Sequence, residues 1–294
     1  MGRRRTRGEC IFDGFNVLLM LVVIMITLYP LLYVVFVSFS IPAQYMRFNG
    51  AFLWRPLGFS RSSYKAVFRN INIWNGYRNT IIVVALGLTV NMALTIVGGY
   101  VLSCRKLMLR RPLALFTMFT MYFNGGIVPM YLMVKSYGIL DTVWALVLPV
   151  AVNTFNMIIM RSAFEGVPES LEEAARIDGA SQLKILISIM IPVVMPTIAV
   201  LVLYYGVSHW NSWFNALIYM RTRSKYPLQL ILREMIIQNT SAATSAAGAA
   251  DDEAMIEETI KYATIIVATV PILLLYPFLQ RFFVKGVMVG AVKG

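Results

Sequence analysis

Long runs of apolar residues with almost no charge constrain this chain more than any motif does. A bilayer hydrocarbon core is about 30 Å thick and takes roughly 20 mostly apolar residues as helix. Backbone groups in lipid must pair within their own segment, so such runs form helices. Six spans are expected, over residues 15–39, 80–103, 112–134, 140–160, 185–207 and 264–283. The expected fold class is therefore an all-α integral membrane protein, with residues 1–294 forming one transmembrane domain. Composition agrees, with 59% hydrophobic and 14% charged residues, where a soluble chain carries about 25% charge.

The net charge of +12 sits between the apolar runs. It therefore speaks for membrane topology and against nucleic acid as a partner. Arg3, Arg4, Arg5 and Arg7 precede the first run, and Arg105, Lys106, Arg110 and Arg111 separate the second from the third. Both clusters are expected in the cytoplasm. The loop between the first two spans conflicts with that rule, since it holds Arg47, Arg55, Arg61, Lys65, Arg69 and Arg78 and no acid. Its charges are spread along a long loop, so the tighter clusters decide. The first run is too long for a signal peptide and no small-residue cleavage site follows it, so it reads as a retained span. Cys10 and Cys104 imply no disulfide framework.

Two apolar runs are interrupted. Asn124-Gly125-Gly126 and Pro129 break the third, and Pro192 and Pro196 lie inside the fifth, where they are expected to bend it. Residues 162–184 and 208–261 read as soluble connections. Within the second, 241–250 is rich in small residues, and Asp251-Asp252-Glu253 suits the start of a short helix.

The most informative connection runs from Pro168 to Ala180. A proline at its start, glutamates in its first turn and Gly179 at its end predict a short cytoplasmic helix with a left-handed C-terminal cap. Leu171, Ala174 and Ala175 share one small, mildly apolar side of it. The chain then returns through Ile189-Met190-Ile191-Pro192 into the fifth span.

Glu173-Ala174-Ala175, Gly179 three residues after Arg176, and Ile189-x-Ile191-Pro192 resemble the EAA loop of binding-protein-dependent ABC importers. The usual pattern ends in Ile-x-Leu-Pro, so Ile191 departs from it. The resemblance implies that this loop is a coupling helix docked on an ATP-binding subunit through Glu173, Ala174, Ala175, Asp178 and Gly179. It also implies that the loop is cytoplasmic. The C-terminal stretch 283–294 is similar to the tail of maltose-type second permeases, a tail that in that group approaches the ATPase interface. Phe123-Asn124-Gly125-Gly126-Ile127-Val128-Pro129 and His209-Trp210-Asn211-Ser212-Trp213-Phe214-Asn215-Ala216 resemble a narrower branch. That branch serves oligosaccharides that include uronic acids, such as alginate oligosaccharides and aldouronates.

A family member of this kind implies a definite set of partners. They are a second homologous permease, two ATP-binding cassette subunits, an extracytoplasmic or periplasmic solute-binding protein, an oligosaccharide and membrane lipid. The resemblance also implies no cofactor on this chain, with ATP-Mg in the partner subunits. The chain would be a multi-pass protein of the bacterial cytoplasmic (inner) membrane with both termini inside, and not itself an enzyme.

A sugar path needs hydrogen-bonding groups at lipid depth. Asn91, Tyr122, Asn124, Asn153 and Asn156 offer them in spans 2 to 4. Tyr204, Tyr205, His209, Trp210, Asn211, Trp213 and Asn215 cluster at the far end of span 5. The plain alternative is that Asn and Tyr bond neighbouring helices together, and that the tryptophans anchor at the interface. The basic loop between spans 1 and 2 suits an anionic sugar, an acidic face of a binding protein, or lipid headgroups.

No Gly-x-x-x-x-Gly-Lys-[Ser/Thr] loop occurs, so energy must come from a partner. No Cys/His pairing suggests a metal. A secondary transporter or channel is the alternative reading, but it would call for intramembrane charges or an internal repeat. A membrane enzyme would need a catalytic constellation that one histidine and few acids do not supply.

Overall fold

The computed structural model describes residues 7–48, 50, 52–245, 259–274 and 277. Among these residues all regular structure is helical. The chain divides into two compact units: residues 1–70 with 234–269, and residues 71–233 with 270–294.

The first unit is built on the helix Arg7–Ser38. Its most apolar 18-residue window has no residue buried, and burial sets in only at Val37 and Ser38. An apolar helix left this bare over most of its length is one that lipid or another protein covers. After Ser38 the chain doubles back. Ser60 N–H donates to Phe39 O at 2.8 Å and Ile41 N–H to Leu57 O at 2.9 Å. The short helices Pro42–Met46 and Ser62–Arg69 follow. Residue Thr259 opens the helix Thr259–Leu274 and meets Ser63 hydroxyl to hydroxyl at 2.8 Å.

The second unit is organised around Ile71–Ser103, which starts nine residues before the expected span. The early start reflects the absence of a proline in 71–79, and Asn79 finds partners by donating to Ser224 O at 2.8 Å and Tyr226 O at 3.1 Å. Three further crossings are broken. Arg110–Tyr122 and Ile127–Ser136 meet at 111°, Val143–Val150 and Thr154–Glu165 at 55°, and Gln182–Val193 and Met195–Trp210 at 84°. The first break falls on Asn124-Gly125-Gly126, and Gly126 has φ of 89°. The third falls between Pro192 and Pro196, after a π-turn over Leu186–Met190. Each proline lacks the N–H its turn requires, so the ladder fails there twice. The break in the fourth crossing, at 151–153 just after the 3-10 turn Leu148–Val150, was not expected from sequence; Pro149 precedes it.

By length and composition two helices cross a membrane alone, and five crossings are found if each bent pair counts as one. The expected sixth span, 264–283, begins within Thr259–Leu274 and otherwise lies outside the described residues. So do Asp251–Glu253 and the tail 283–294. The connection 208–261 carries the helices Phe214–Tyr219 and Leu228–Ser245. Leu228, Leu230, Ile231 and Leu232 are buried there. The main core gathers Met92, Tyr100, Met160, Phe164, Ile185, Met190, Leu201 and Tyr205. Gly99 lets Met160 close on the long helix, since a Cβ there would lie 2.8 Å from the methionine Cγ.

Candidate functional site

The connection from Pro168 to Ala180 forms the helix Glu169–Ile177. Pro168 sits just before it in extended conformation, and Glu169 and Glu172 occupy its first turn beside the positive helix end. Its C-terminus closes as a Schellman motif. Ala180 N–H donates to Ala175 O at 2.9 Å and Gly179 N–H to Arg176 O at 3.0 Å. Gly179 takes φ of 75°, which a side chain would oppose. Ser181 then caps the next helix by accepting the Lys184 N–H at 3.4 Å.

The helix has an inner and an outer side. Ala175 is buried in the core and Ala180 packs against the same cluster. Glu173, Ala174, Asp178 and Gly179 are exposed, as are Leu171 and Ile177, the last at 86%. The shared face expected for Leu171, Ala174 and Ala175 is therefore split: Ala175 holds the helix down while Ala174 and Leu171 look outward. Ile177 and Leu171 leave apolar side chains bare on the outer side.

Charge braces the root of this helix. Glu172 accepts from Arg176 Nη2 at 2.5 Å, and Arg105 Nη1 donates to Glu169 at 3.0 Å. Glu165 is shared by Arg161, at 2.8 Å, and Arg110. Tyr100 OH donates to Gln182 Oε1 at 2.8 Å. Single exposed pairs of this kind contribute less than about 1 kcal/mol each, so together they set position more than stability.

The polar residues picked out in the spans fall into three groups. The first is a buried seam between crossings. Asn91, fully buried, donates through Nδ2 to Val150 O at 2.6 Å and Ala151 O at 2.9 Å. Its Oδ1 accepts from His209 Nε2 at 2.7 Å, which places the imidazole proton on that nitrogen. Tyr205 OH meets Thr95 Oγ1 at 2.7 Å and accepts the Asn153 N–H at 3.3 Å. Asn153 Oδ1 in turn caps Thr154–Glu165 through the Asn156 N–H at 3.0 Å, and Asn156 is buried. This seam ties Ile71–Ser103, the broken fourth crossing and Met195–Trp210 together, as interhelical bonds in membranes do.

The second group lines a cleft of about 280 Å³ beside the break in the third crossing. Asn124 and Asn215 lie there with Ile127, Met130, Phe214 and Tyr219. Asn124 Oδ1 accepts the Gly126 N–H at 2.9 Å, and this holds the break open. The third group is scattered. Tyr122, Tyr204 and Asn211 are exposed. The indole N–H of Trp210 is buried and unpaired, with its ring 6.3 Å from that of Tyr77. The Arg233 guanidinium covers Trp213 at 3.3 Å from the ring centre.

Three features were not read from sequence. Gly87 leaves the room His209 occupies, because a Cβ there would collide with the imidazole; its signal was a glycine one turn before Asn91. Thr95, one turn after Asn91, completes the seam. Asp141, at φ of 59°, clamps the turn between the third and fourth crossings. It accepts from Lys225 Nζ at 2.8 Å, Thr222 Oγ1 at 2.7 Å and the N–H groups of Arg221 and Thr222 at 3.0 Å. The Lys225 bond first, then those from Thr222 and Arg221, hold its carboxyl below the usual range.

No family model matches the chain. It is 37% identical over 284 residues to the polygalacturonan/rhamnogalacturonan transport system permease protein YtcP of Bacillus subtilis, covering 97% of this chain and 99% of that one. It is 38% identical over 289 residues to protein LplC of the same organism, covering 98% and 97%. Among solved structures it matches a bacterial ABC transporter involved in the import of the acidic polysaccharide alginate, with a TM-score of 0.86 and 31% identity over 96% of this chain and 100% of that one. With such relatives the chain is not itself an enzyme, and the reading as a secondary transporter or channel gives way. The likeness covers nearly the whole of each chain, and it makes this chain a member of the sugar permease subunits of ABC transporters.

Proposed function

We propose that the chain forms half of an import pathway for anionic, uronic-acid oligosaccharides, such as those of alginate. Glu169–Ile177 would dock on one of two ATP-binding cassette subunits that carry ATP-Mg. A second homologous permease completes the pathway, a solute-binding protein delivers the sugar, and both termini lie in the cytoplasm. The observation that carries the docking role is the split helix. Its buried Ala175 and Schellman turn fix it to the permease core, while Glu173, Ala174 and Ile177 remain exposed for a partner.

The substrate class is supported by relatives named for polygalacturonan and for an acidic polysaccharide. Exposed Arg221 adds positive charge to the same unit, which would draw an anion. Of the polar residues, Asn124 and Asn215 are the best placed for substrate contact, because they line an open cleft. Asn91 and His209 then serve the pathway by holding its wall.

Two experiments test the two halves of this reading. Glu173→Lys is expected to reduce co-purification of the ATPase subunits severalfold while the two permeases stay paired; full retention would refute the docking role. In proteoliposomes of the whole transporter, uronic oligosaccharides are expected to drive uptake and neutral ones of equal length are not. Equal uptake of both would refute the anionic class.

A further inference from the structure

The chain after the first helix doubles back along it in a fixed way. Leu53 N–H donates to Tyr29 OH at 2.9 Å, and Leu57 N–H donates to Ser40 Oγ at 3.0 Å. Residues 53–57 are therefore pinned at both ends and run along the outer third of Arg7–Ser38. Tyr29 lies nine residues before Ser38, or about 14 Å along the helix axis. The Phe52 and Trp54 rings sit on Tyr29, at centroid distances of 5.6 and 5.4 Å. Each of the two is nevertheless 64% exposed.

The depth of these rings follows from the helix. Its first turns carry Glu9 and Asp13, so the hydrocarbon core starts near Phe15. A core of about 30 Å takes about 20 residues and so ends near Val34. Tyr29 lies inside that limit, and Phe52 and Trp54 share its depth. One level further along, Phe59 stacks on Phe39 at 5.6 Å. Arg61 lies 5.5 Å from the Phe59 ring centre, and Arg47, Arg55 and Arg61 are exposed. Residues 39–78 hold no acid that could pair with these arginines.

The geometry points to an interfacial anchor. Residues 52–61 form a wedge whose Phe52 and Trp54 rings enter the leaflet at the end of the first helix, while Arg55 and Arg61 meet lipid phosphates. The bare apolar side chains of the first helix continue directly into the wedge, and at that depth lipid, not a soluble protein, is the occupant they fit. Aromatic rings at the hydrocarbon edge with arginine at headgroup level is the arrangement that interfacial segments use. It also gives the basic loop a place that the count of charges per side did not. Those arginines are engaged by the near leaflet whichever side of the membrane it faces.

The test places a photoreactive benzoylphenylalanine at Phe52 or at Trp54 in the whole transporter, in membranes of mixed neutral and anionic phospholipid. The same probe at Leu18 gives the yield for a lipid-facing helix site. Illumination is expected to add the mass of one phospholipid at positions 52 and 54, with yields close to that at Leu18. Cross-links to another protein chain, or no lipid adduct at 52 and 54 while Leu18 gives one, would overturn the anchor. The anionic share of the adducts is expected to exceed that of the bulk and to fall to it in Arg55→Gln/Arg61→Gln; adducts that mirror the bulk in the unsubstituted protein would overturn the role of the arginines.

Discussion

Asn91 and His209 are 118 residues apart and fully or nearly enclosed, and their bond depends on a residue that is neither. A methyl group at Gly87 would strike the imidazole. Overpacking of this kind costs about 1–3 kcal/mol, and the displaced ring would leave Asn91 Oδ1 unpaired at a comparable cost. Gly87→Ala is expected to lower the thermal midpoint of the detergent-purified complex clearly, whereas Gly14→Ala, with open space around it, changes little. Equal midpoints would dissociate the glycine from the seam. Asp141 allows a second expectation. Its carboxyl is held below its ordinary value of 3.8 by Lys225 and its neighbours, so its contribution is complete above that value and disappears as acid titrates the folded form. Asp141→Asn should therefore destabilise the protein at neutral pH and flatten the loss of stability on acidification. The loss begins below about pH 5 and continues towards the lowered folded value; identical acid limbs for the two proteins below that pH would refute this. Polarity at these positions was visible in the sequence, which named Asn91, Asn153, Asn156, Tyr205 and His209. Their partners were not visible, because backbone carbonyls at Val150 and Ala151 and a glycine's missing side chain carry no sequence label.

Among the elements, breaks were more readable than boundaries. Asn124-Gly125-Gly126 and the pair Pro192 and Pro196 predicted their bends because a missing N–H or an absent Cβ acts locally. Pro149 has the same chemistry but went unread inside an otherwise apolar run, and the early start of Ile71–Ser103 depends on tertiary partners of Asn79. The helix Glu169–Ile177 was legible in full as a helix, since its cap uses adjacent residues, yet its orientation was not. Only packing against Met160 and Ile185 turns Ala175 inward. The 84° bend lies one helical segment, Gln182–Val193, beyond Glu169–Ile177. Pro192→Ala is expected to restore one backbone bond, straighten that segment and lower transport per ATP hydrolysed in reconstituted vesicles. An unchanged ratio would mean that the bend has no part in coupling.

For the whole molecule, the sequence reported the solvent before it reported the shape. A chain this poor in charge exposes large apolar side chains along Arg7–Ser38 and Arg110–Tyr122 that water would not tolerate. The protein should stay with membranes through alkaline carbonate washing and leave them only in detergent; release by carbonate would contradict the crossings. The division into two compact units had no counterpart in the sequence, because residues 234–269 join residues 1–70 across the chain. Long-range pairs such as Ser63 with Thr259 set that division.

The opening at Asn124–Gly126 bears on how the chain is made. A rod-like apolar helix can leave the insertion machinery for lipid by itself, since all its peptide groups are paired. A segment that turns through 111° cannot. Its loosened peptide groups must wait for company, and here the wall beside them comes from Pro149, Val150 and Phe214, which are translated later. The third crossing therefore settles only after the fourth and the fifth, and Phe214 beyond them, have emerged from the ribosome.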